Sequence, residues 1–173
     1  MDFIKEIDAK MAPIQWGWVD KDGVKHTDMA HYAEKYMLQM PEQLLESRLG
    51  VCWDQVELQR KLFADAGIAT RSFFIVHYDG KSNPAHTFIL FEHNNKTFWH
   101  EHSWEAFRGL HEYDNLKAAI SDIRNIFINN ELGGKYDSQN LVIYKYDAPK
   151  ENLSCLEFYK HCERGKQVQI DSL

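Results

Sequence analysis

The distribution of apolar and polar residues predicts helices and strands of ordinary length. Apolar residues recur at helical spacing from Cys52 to Ala66, and again over residues 114–129 and 151–165. Short runs rich in aromatic and β-branched residues are typical of strands, and they cover residues 70–78, 85–93, 96–104 and 141–147. Predicted helices come first, then strands that can pair antiparallel, then helix, strand and helix. This order predicts an α+β fold.

Turn and capping residues indicate where these elements begin and end. A cap at residues 27–28 predicts a helix that reaches about Met40, and a second helix is expected over residues 41–46, beginning with a proline. Gly67 is suited to a left-handed stop for the helix that begins at Cys52. The Asn-Asn pair at 94–95 predicts a tight hairpin turn.

Length and charge restrict the class of protein. A chain of 173 residues suffices for one hydrophobic core, so we expect a single domain over residues 1–173, with its motifs in the part from about 48 to 147. The formal net charge of -6, without a basic cluster, argues against nucleic acid or an anionic membrane surface as a partner. The chain has no apolar run long enough to span a membrane. Oligomeric state stays open.

The cysteine content and the first residues indicate the compartment. Three cysteines are too few for a disulfide scaffold, and their number is odd. Asp2, Glu6 and Asp8 interrupt the opening stretch, which lacks the apolar core of a signal peptide. We therefore expect a cytoplasmic protein, whose acidic N-terminal stretch is solvated.

Cys52 is the residue that most suggests chemistry, because it lies where a loop becomes a helix. Unpaired N–H groups and the helix dipole stabilise a thiolate in the first turn, and two of these groups could also hold an oxyanion. A buried structural thiol is the alternative. Cys155 and Cys162 share one face of the last predicted helix, where core packing explains them.

A nucleophilic thiol needs a base, and the base needs a partner that orients it. His86 begins an apolar strand, where an imidazole without a partner would be costly to bury. With a two-residue Asn-Asn turn, His93 pairs with Lys96 and Glu101 lies opposite Phe88, on the sheet face of His86. A three-residue loop would instead bring other residues to this face, namely His100 and His102.

Four segments resemble the transglutaminase-like superfamily of papain-like thiol enzymes. They are GVCWDQ around Cys52, GIATR after its helix, AHTFI around His86 and FWHEHSW around Glu101. The resemblance covers about residues 48–113. It implies a central helix that carries the cysteine and packs on an antiparallel sheet, with flanking helices, and it implies a Cys-His-Glu triad. The chain departs from the family at the third member, because Glu replaces the usual Asp and His102 replaces the following Pro.

The resemblance also suggests residues that line the site. Some family members hold the oxyanion with an upstream Trp or Gln, and Trp16, Trp18 and Gln43 are the candidates here. Trp53 and His102 are further candidates, although Trp53 is expected to pack in the core.

The implied activity is thiol-dependent acyl transfer from a peptide or protein amide, or from a glutamine side chain, without a cofactor. Water as the acceptor gives a protease or amidase, which we favour, and an amine gives a transglutaminase. One alternative is a binding module that keeps the fold without catalysis. A minor alternative is a metal site at His100 and His102, with His86 and His93 nearby.

Overall fold

The computed structural model describes residues 1–173 and confirms the α+β class. The helices are α1 (Asp2–Met11), α2 (Tyr32–Lys35), α3 (Pro41–Ser47), α4 (Cys52–Asp65), α5 (Leu116–Asn130) and α6 (Cys155–Glu163). The strands are β1 (Trp18–Val19), β2 (Lys25–His26), β3 (Thr70–His77), β4 (Ala85–His93), β5 (Lys96–Glu101), β6 (Gly109–Tyr113), β7 (Leu141–Tyr146) and β8 (Lys166–Gln167). None of the helices combines the length and the apolar character needed to cross a membrane.

Six strands form one sheet in the order β6-β5-β4-β3-β7-β8, and every neighbouring pair is antiparallel. β1 and β2 form a separate two-stranded hairpin. The sheet divides the interior because successive residues of a strand face opposite sides. In β4, for example, Ile89 and Phe91 join the cluster that contains α4, whereas Phe88 and Leu90 join the cluster that contains α5.

The hairpin between β4 and β5 has the predicted two-residue turn. Asn94 and Asn95 adopt left-handed φ angles of 49° and 62°, which Asn tolerates better than most residues. His93 pairs with Lys96, as the sequence predicts.

The β4–β5 ladder is shorter than predicted. It ends at the pair Leu90–Trp99, so Glu101 does not pair with Phe88 and instead pairs with Gly109 of β6. The Glu101 carboxylate accepts hydrogen bonds from backbone groups just beyond it, and these bonds turn the chain out of the strand.

Helix α4 begins at Cys52 and ends just before Gly67, which has the predicted left-handed φ of 74°. Most of its length is buried, and its apolar residues belong to a core cluster of 23 buried residues. Phe63 is fully buried there, and a buried side chain of this kind contributes about 1.5–3 kcal/mol to stability. α4 is thus a central helix packed on the sheet, as expected.

The predicted helix over residues 27–40 is wrong. Only Tyr32–Lys35 is helical, and Tyr36 leaves the helix in an extended conformation. The reason lies in tertiary contacts, because the N–H groups that a longer helix would use are bound elsewhere. Leu38 donates to the Leu153 carbonyl at 2.8 Å, and Gln39 donates to Asp54 at 2.8 Å.

The N-terminal stretch is not simply solvated, as its acidic residues suggested. It forms α1, and Ile4, Ile7 and Met11 on one face are buried in the core. Asp8 accepts a hydrogen bond from His100 at 2.8 Å. The acidic residues therefore occupy the outer face of an amphipathic helix.

Candidate active site

Cys52 is the first residue of α4, and its thiol is partly exposed. A helix leaves its first N–H groups without intrahelical acceptors, and no other group of the chain takes those of Cys52 and Trp53. Gly50 makes the approach to the helix possible, because a Cβ there would lie 2.6 Å from Leu44 and 2.9 Å from Cβ of Asp54. The geometry thus presents a thiol beside free amide donors.

Asp54 fixes the turn that leads into Cys52. Its carboxylate is fully buried and accepts from the Val51 N–H at 2.9 Å, the Gln39 N–H at 2.8 Å and the Tyr36 hydroxyl at 2.9 Å. Burial raises the pKa of Asp54 to about 7, although these hydrogen bonds oppose the shift. Asp54 therefore ties the start of α4 to the segment that follows α2.

His86 and Glu101 form a buried pair, with 2% and 4% of their side chains exposed. Nε2 of His86 lies 3.0 Å from Oε2 of Glu101. The other oxygen, Oε1, accepts from the N–H groups of Ser103 at 2.6 Å and Trp104 at 2.9 Å. Because Nε2 of His86 is hydrogen-bonded to Glu101, Nδ1 is the ring nitrogen that remains free.

Trp104 fixes the plane of the His86 ring. The two rings are stacked, with centroids 3.6 Å apart and an interplanar angle of 6°. The indole N–H of Trp104 donates to Glu131 at 2.9 Å. Trp104 therefore covers one face of the His86 ring, and Glu101 binds the ring at Nε2.

The structure brings Cys52 to this ring. Burial opposes a charge on His86, yet the charge of Glu101, and after it the nearby Cys52, raises the pKa of His86 to about 10. The three residues predicted as a triad thus lie together: a thiol, an imidazole and a carboxylate in series.

Trp16 and Trp18 differ in their surroundings. Trp18 is fully buried, donates its indole N–H to the Asp28 carbonyl at 2.6 Å and stacks on His26. Trp16 is 42% exposed. The residue before it, Gln15, is bonded through its backbone to the turn that leads into Cys52. Its N–H donates to the Arg48 carbonyl at 3.0 Å, and its carbonyl accepts from the Gly50 N–H at 3.0 Å.

Gln43 and Trp53 have structural partners. The amide oxygen of Gln43 accepts from the Met40 N–H at 2.7 Å and from the Asn152 side chain at 2.6 Å, an arrangement that caps α3. The Trp53 ring is buried and stacks on Phe158 at 4.3 Å.

His100 and His102 are bound to different parts of the chain. His100 accepts from Gln59 through Nδ1 and donates to Asp8 through Nε2, both at 2.8 Å. His102 donates to the Ile14 carbonyl at 3.1 Å, and burial lowers its pKa. No group of three or more His, Cys, Asp or Glu side chains is arranged to hold a metal ion.

Two surface cavities of about 520 and 740 Å³ lie away from the triad. The first lies between α5 and the β7–β8 edge of the sheet, and the second lies between the β1–β2 hairpin and α3. Cys52 lines neither of them.

Sequence reasoning missed three residues of the site: Gln15, Asp54 and Trp104. Asp54 carried a usable signal, since an acid three residues after a helix N-cap is typical of a capping box. Trp104 lies within the aromatic segment around Glu101, but its stacking depends on how the chain turns after β5. Gln15 is brought to the turn by backbone pairing that no local pattern indicates.

No protein-family model matches the chain, and a search of curated proteins also finds no match. The chemistry of the site has to be inferred from its geometry.

Proposed function

We propose that the protein is a thiol-dependent acyl-transfer enzyme of the transglutaminase-like, papain-like kind, with Cys52 as nucleophile, His86 as general acid and base, and Glu101 as the residue that orients His86. The observation that carries this proposal is the buried His86–Glu101 pair, stacked on Trp104 and adjacent to a thiol at a helix N-terminus. A buried histidine whose pKa is strongly raised by a specific partner is a candidate for a functional group.

The first half-reaction follows from these positions. A protonated His86 favours the thiolate of Cys52, whose sulfur attacks the carbonyl carbon of an amide. The oxyanion that forms accepts hydrogen bonds from the free N–H groups of Cys52 and Trp53. The C–N bond breaks, His86 gives its proton to the departing amine, and an acyl-enzyme remains.

The second half-reaction decides the product. His86 takes a proton from water while the water oxygen attacks the thioester carbonyl, the C–S bond breaks, the acid leaves, and His86 returns its proton to the Cys52 sulfur. This route is amide hydrolysis, which we favour. A primary amine in place of water gives transamidation instead.

Two features of the surroundings support a peptide or protein substrate. Cys52 is partly exposed, so a segment of chain lying on the surface can reach it. Gln15 and Trp16 lie along the catalytic turn with exposed side chains. The Gln15 amide is free to give a further hydrogen bond to the oxyanion, a role for which sequence reasoning had considered Trp16, Trp18 and Gln43.

Selective alkylation tests the proposal without a known substrate. At pH 7, iodoacetamide should label Cys52 at least about 100-fold faster than Cys155 or Cys162. Burial raises the pKa of Cys155 to about 11 and that of Cys162 well above its usual range, so both stay protonated. Mass spectrometry of tryptic peptides gives the three rates.

His86→Asn should slow the labelling of Cys52 by at least about tenfold. His31→Asn is the matched control, because His31 is exposed and its left-handed backbone suits Asn. If all three thiols react alike, or if His86→Asn has no effect in a folded protein, the chain is better described as a binding module. Incubation with casein and a fluorescent primary amine then separates hydrolysis from transamidation.

A further inference from the structure

The outer edge of β7 is only partly covered by β8. The two strands pair at Tyr144 and Lys145 of β7. One more hydrogen bond follows, from the Val168 N–H to the Ile143 carbonyl at 2.8 Å. The chain then leaves the sheet and forms a short 3₁₀ helix, Ile170–Ser172. The first half of β7 is therefore an open strand edge.

Backbone groups on this open edge have no partner. Alternate residues of a strand direct their N–H and C=O groups to opposite sides. The Tyr78 N–H bonds to the Asn140 carbonyl on the β3 side, so Leu141 and Ile143 direct their backbone groups away from β3. Beyond the Val168 bond, nothing takes the Ile143 N–H or the N–H and C=O of Leu141. Ile143 is only 4% exposed, and an unpaired donor at such a residue is costly.

Helix α5 forms the opposite wall of a groove along this edge. The cavity of about 520 Å³ lies between them, lined by Leu141 and Ile143 on the strand and by Ser121, Arg124 and Asn125 on the helix. The side chains of Leu141 and Ile143 join the core cluster that contains α5, so a strand added here would direct every second side chain toward the helix. An open strand edge with a groove beside it is suited to an extended peptide that adds to the sheet.

Arg124 gives the groove a charge preference. It is half-buried and forms no ion pair in the chain, and its guanidinium lies over the Tyr136 ring at 5.4 Å. The other charged residue of the lining, Asp171, is exposed to water. A half-buried guanidinium gains most from a carboxylate, which accepts two of its N–H groups. The groove therefore favours an acidic side chain at Arg124.

The rest of the lining also suits a peptide. Three of its side chains are amides that form no hydrogen bond within the chain: Asn125, Gln139 and Gln169. Amides both donate and accept, as the groups of a peptide backbone require. No aromatic side chain lines the groove, so a nucleobase would find no ring on which to stack.

We propose that the groove between α5 and β7 binds an extended peptide segment of another protein as an added strand, with an acidic side chain of that peptide against Arg124. The peptide residue opposite Leu141 donates its N–H to the Leu141 carbonyl and accepts from the Leu141 N–H. Its side chain faces α5. The proposal is independent of the acyl-transfer function, because Cys52 packs with the core cluster on the other side of the sheet.

An NMR titration tests the groove with the blocked peptide acetyl-Val-Thr-Glu-Thr-Val-amide. The amide resonances of Leu141 and Ile143 should shift saturably, with a Kd of about 1 mM or below. The same peptide with an N-methyl group on its Glu lacks the central donor and should bind at least about tenfold more weakly. The peptide with Lys in place of Glu should bind at least about threefold more weakly.

Variants of the protein identify the groups that bind. Leu141→Pro removes an N–H that has no partner in the chain, at the first residue of a strand, where proline is tolerated. Leu141→Ala is the matched control, since it also loses the leucine side chain but keeps the N–H. Leu141→Pro should bind the Glu peptide at least about fivefold more weakly than Leu141→Ala, as measured at the Ile143 amide.

The charge preference has its own pair of variants. Arg124→Gln should bind the Glu and Lys peptides alike. Lys117→Gln, at an exposed cation of the same helix, should keep the preference for Glu. Should Leu141→Pro not fold, the N-methylated peptide and Arg124→Gln still decide the question.

Four results would overturn the proposal. One is the lack of a saturable shift at Leu141 and Ile143 up to about 5 mM peptide. Another is equal affinity for the N-methylated and unmodified peptides. Equal shifts at the exposed Leu110 and Glu112 of β6, the opposite edge of the sheet, would show pairing that the groove does not select. Shifts that depend on protein concentration without peptide would assign the groove to a second copy of the chain.

Discussion

Nε2 of His86 lies 3.0 Å from Oε2 of Glu101, while Oε1 of the same carboxylate accepts from two backbone N–H groups. All four lone-pair directions of a carboxylate are acceptors, and three of them are used here. Glu101 therefore does two things at once: it orients the imidazole and it holds the turn that brings Trp104 over the ring.

The Glu101→Gln variant keeps the shape of the side chain and removes its charge. In Glu101→Gln the NH₂ group must face a donor, either the His86 ring or the backbone of residues 103–104. We expect the iodoacetamide rate at Cys52 at pH 7 to fall at least about tenfold. The control is Glu105→Gln, an exposed carboxylate in the next turn. A variant that folds and labels at the normal rate would contradict the role of Glu101.

The raised pKa of His86 predicts a loss of stability in alkali. With a folded pKa of about 10 against an ordinary value of 6.5, the folded state holds a proton that the unfolded state has released. The stabilisation is complete below about pH 6.5 and is lost as the pH rises to 10. Its size is on the order of 5 kcal/mol, at about 1.4 kcal/mol per pKa unit.

Urea unfolding at several values between pH 6 and pH 10 measures this loss. His86→Asn should show a flatter dependence over the same range, because the titrating ring is gone. His31→Asn should keep the slope of the unmodified protein. Parallel curves for the protein and His86→Asn would show that His86 is not charged in the folded state.

The raised pKa of Asp54 predicts a second dependence of stability on pH, in a more acidic range. Its pKa is raised from 3.8 to about 7, so the folded state binds a proton more tightly than the unfolded state does. Stability should therefore fall as the pH rises from about 4 to about 7, by roughly 4 kcal/mol at most. Asp54→Asn should remove most of this slope.

The same variant should be less stable than the protein at pH 5, since the NH₂ group of Asn cannot accept a hydrogen bond, whereas the hydroxyl oxygen of the protonated Asp54 still can. Asp65→Asn, at the exposed end of α4, is the control and should change little. If the stability of Asp54→Asn falls with pH as steeply as that of the protein, a group other than Asp54 is titrating.

Gly50→Ala should directly disturb the turn that leads into Cys52. The added Cβ meets Leu44 and Asp54 at less than 3.0 Å, so the carboxylate that holds the turn must move. We expect a loss of about 1–3 kcal/mol in the free energy of unfolding, together with slower labelling of Cys52. Gly165→Ala is more crowded still, because its Cβ meets the backbone carbonyl of Lys145, but it lies beyond α6. Gly165→Ala should lower stability without slowing the labelling of Cys52. If both alanine variants slow the labelling equally, the effect of Gly50→Ala does not come from the turn before Cys52.

Local chemistry in the sequence was enough for the central part of the fold. The start of α4 at Cys52, its stop at Gly67 and the Asn-Asn turn all follow from the conformational preferences of a few residues. The turn sets the register at His93–Lys96, and that register places Glu101 on the face of His86. The ladder itself ends at Leu90–Trp99, however, so Glu101 meets His86 beyond the paired part of the hairpin.

The remaining differences arise from long-range contacts. The segment after α2 is extended because a buried carboxylate and the Leu153 carbonyl bind its N–H groups, and neither is near it in sequence. β6 has only five residues, and its pattern was too short to separate from the helix that follows. The position of Gln15 depends on pairing with residues 48–50, which no periodicity reveals.

The hydrogen bond from Tyr159 to the Asn83 carbonyl has a consequence for synthesis of the chain. About a hundred residues separate Cys52 from Tyr159, so a ribosome exposes the cysteine well before the helix that completes its surroundings. Throughout that interval the loop before His86 lacks the hydrogen bond that Tyr159 donates to Asn83. The loop that precedes His86 is therefore fixed in place only after α6 has emerged.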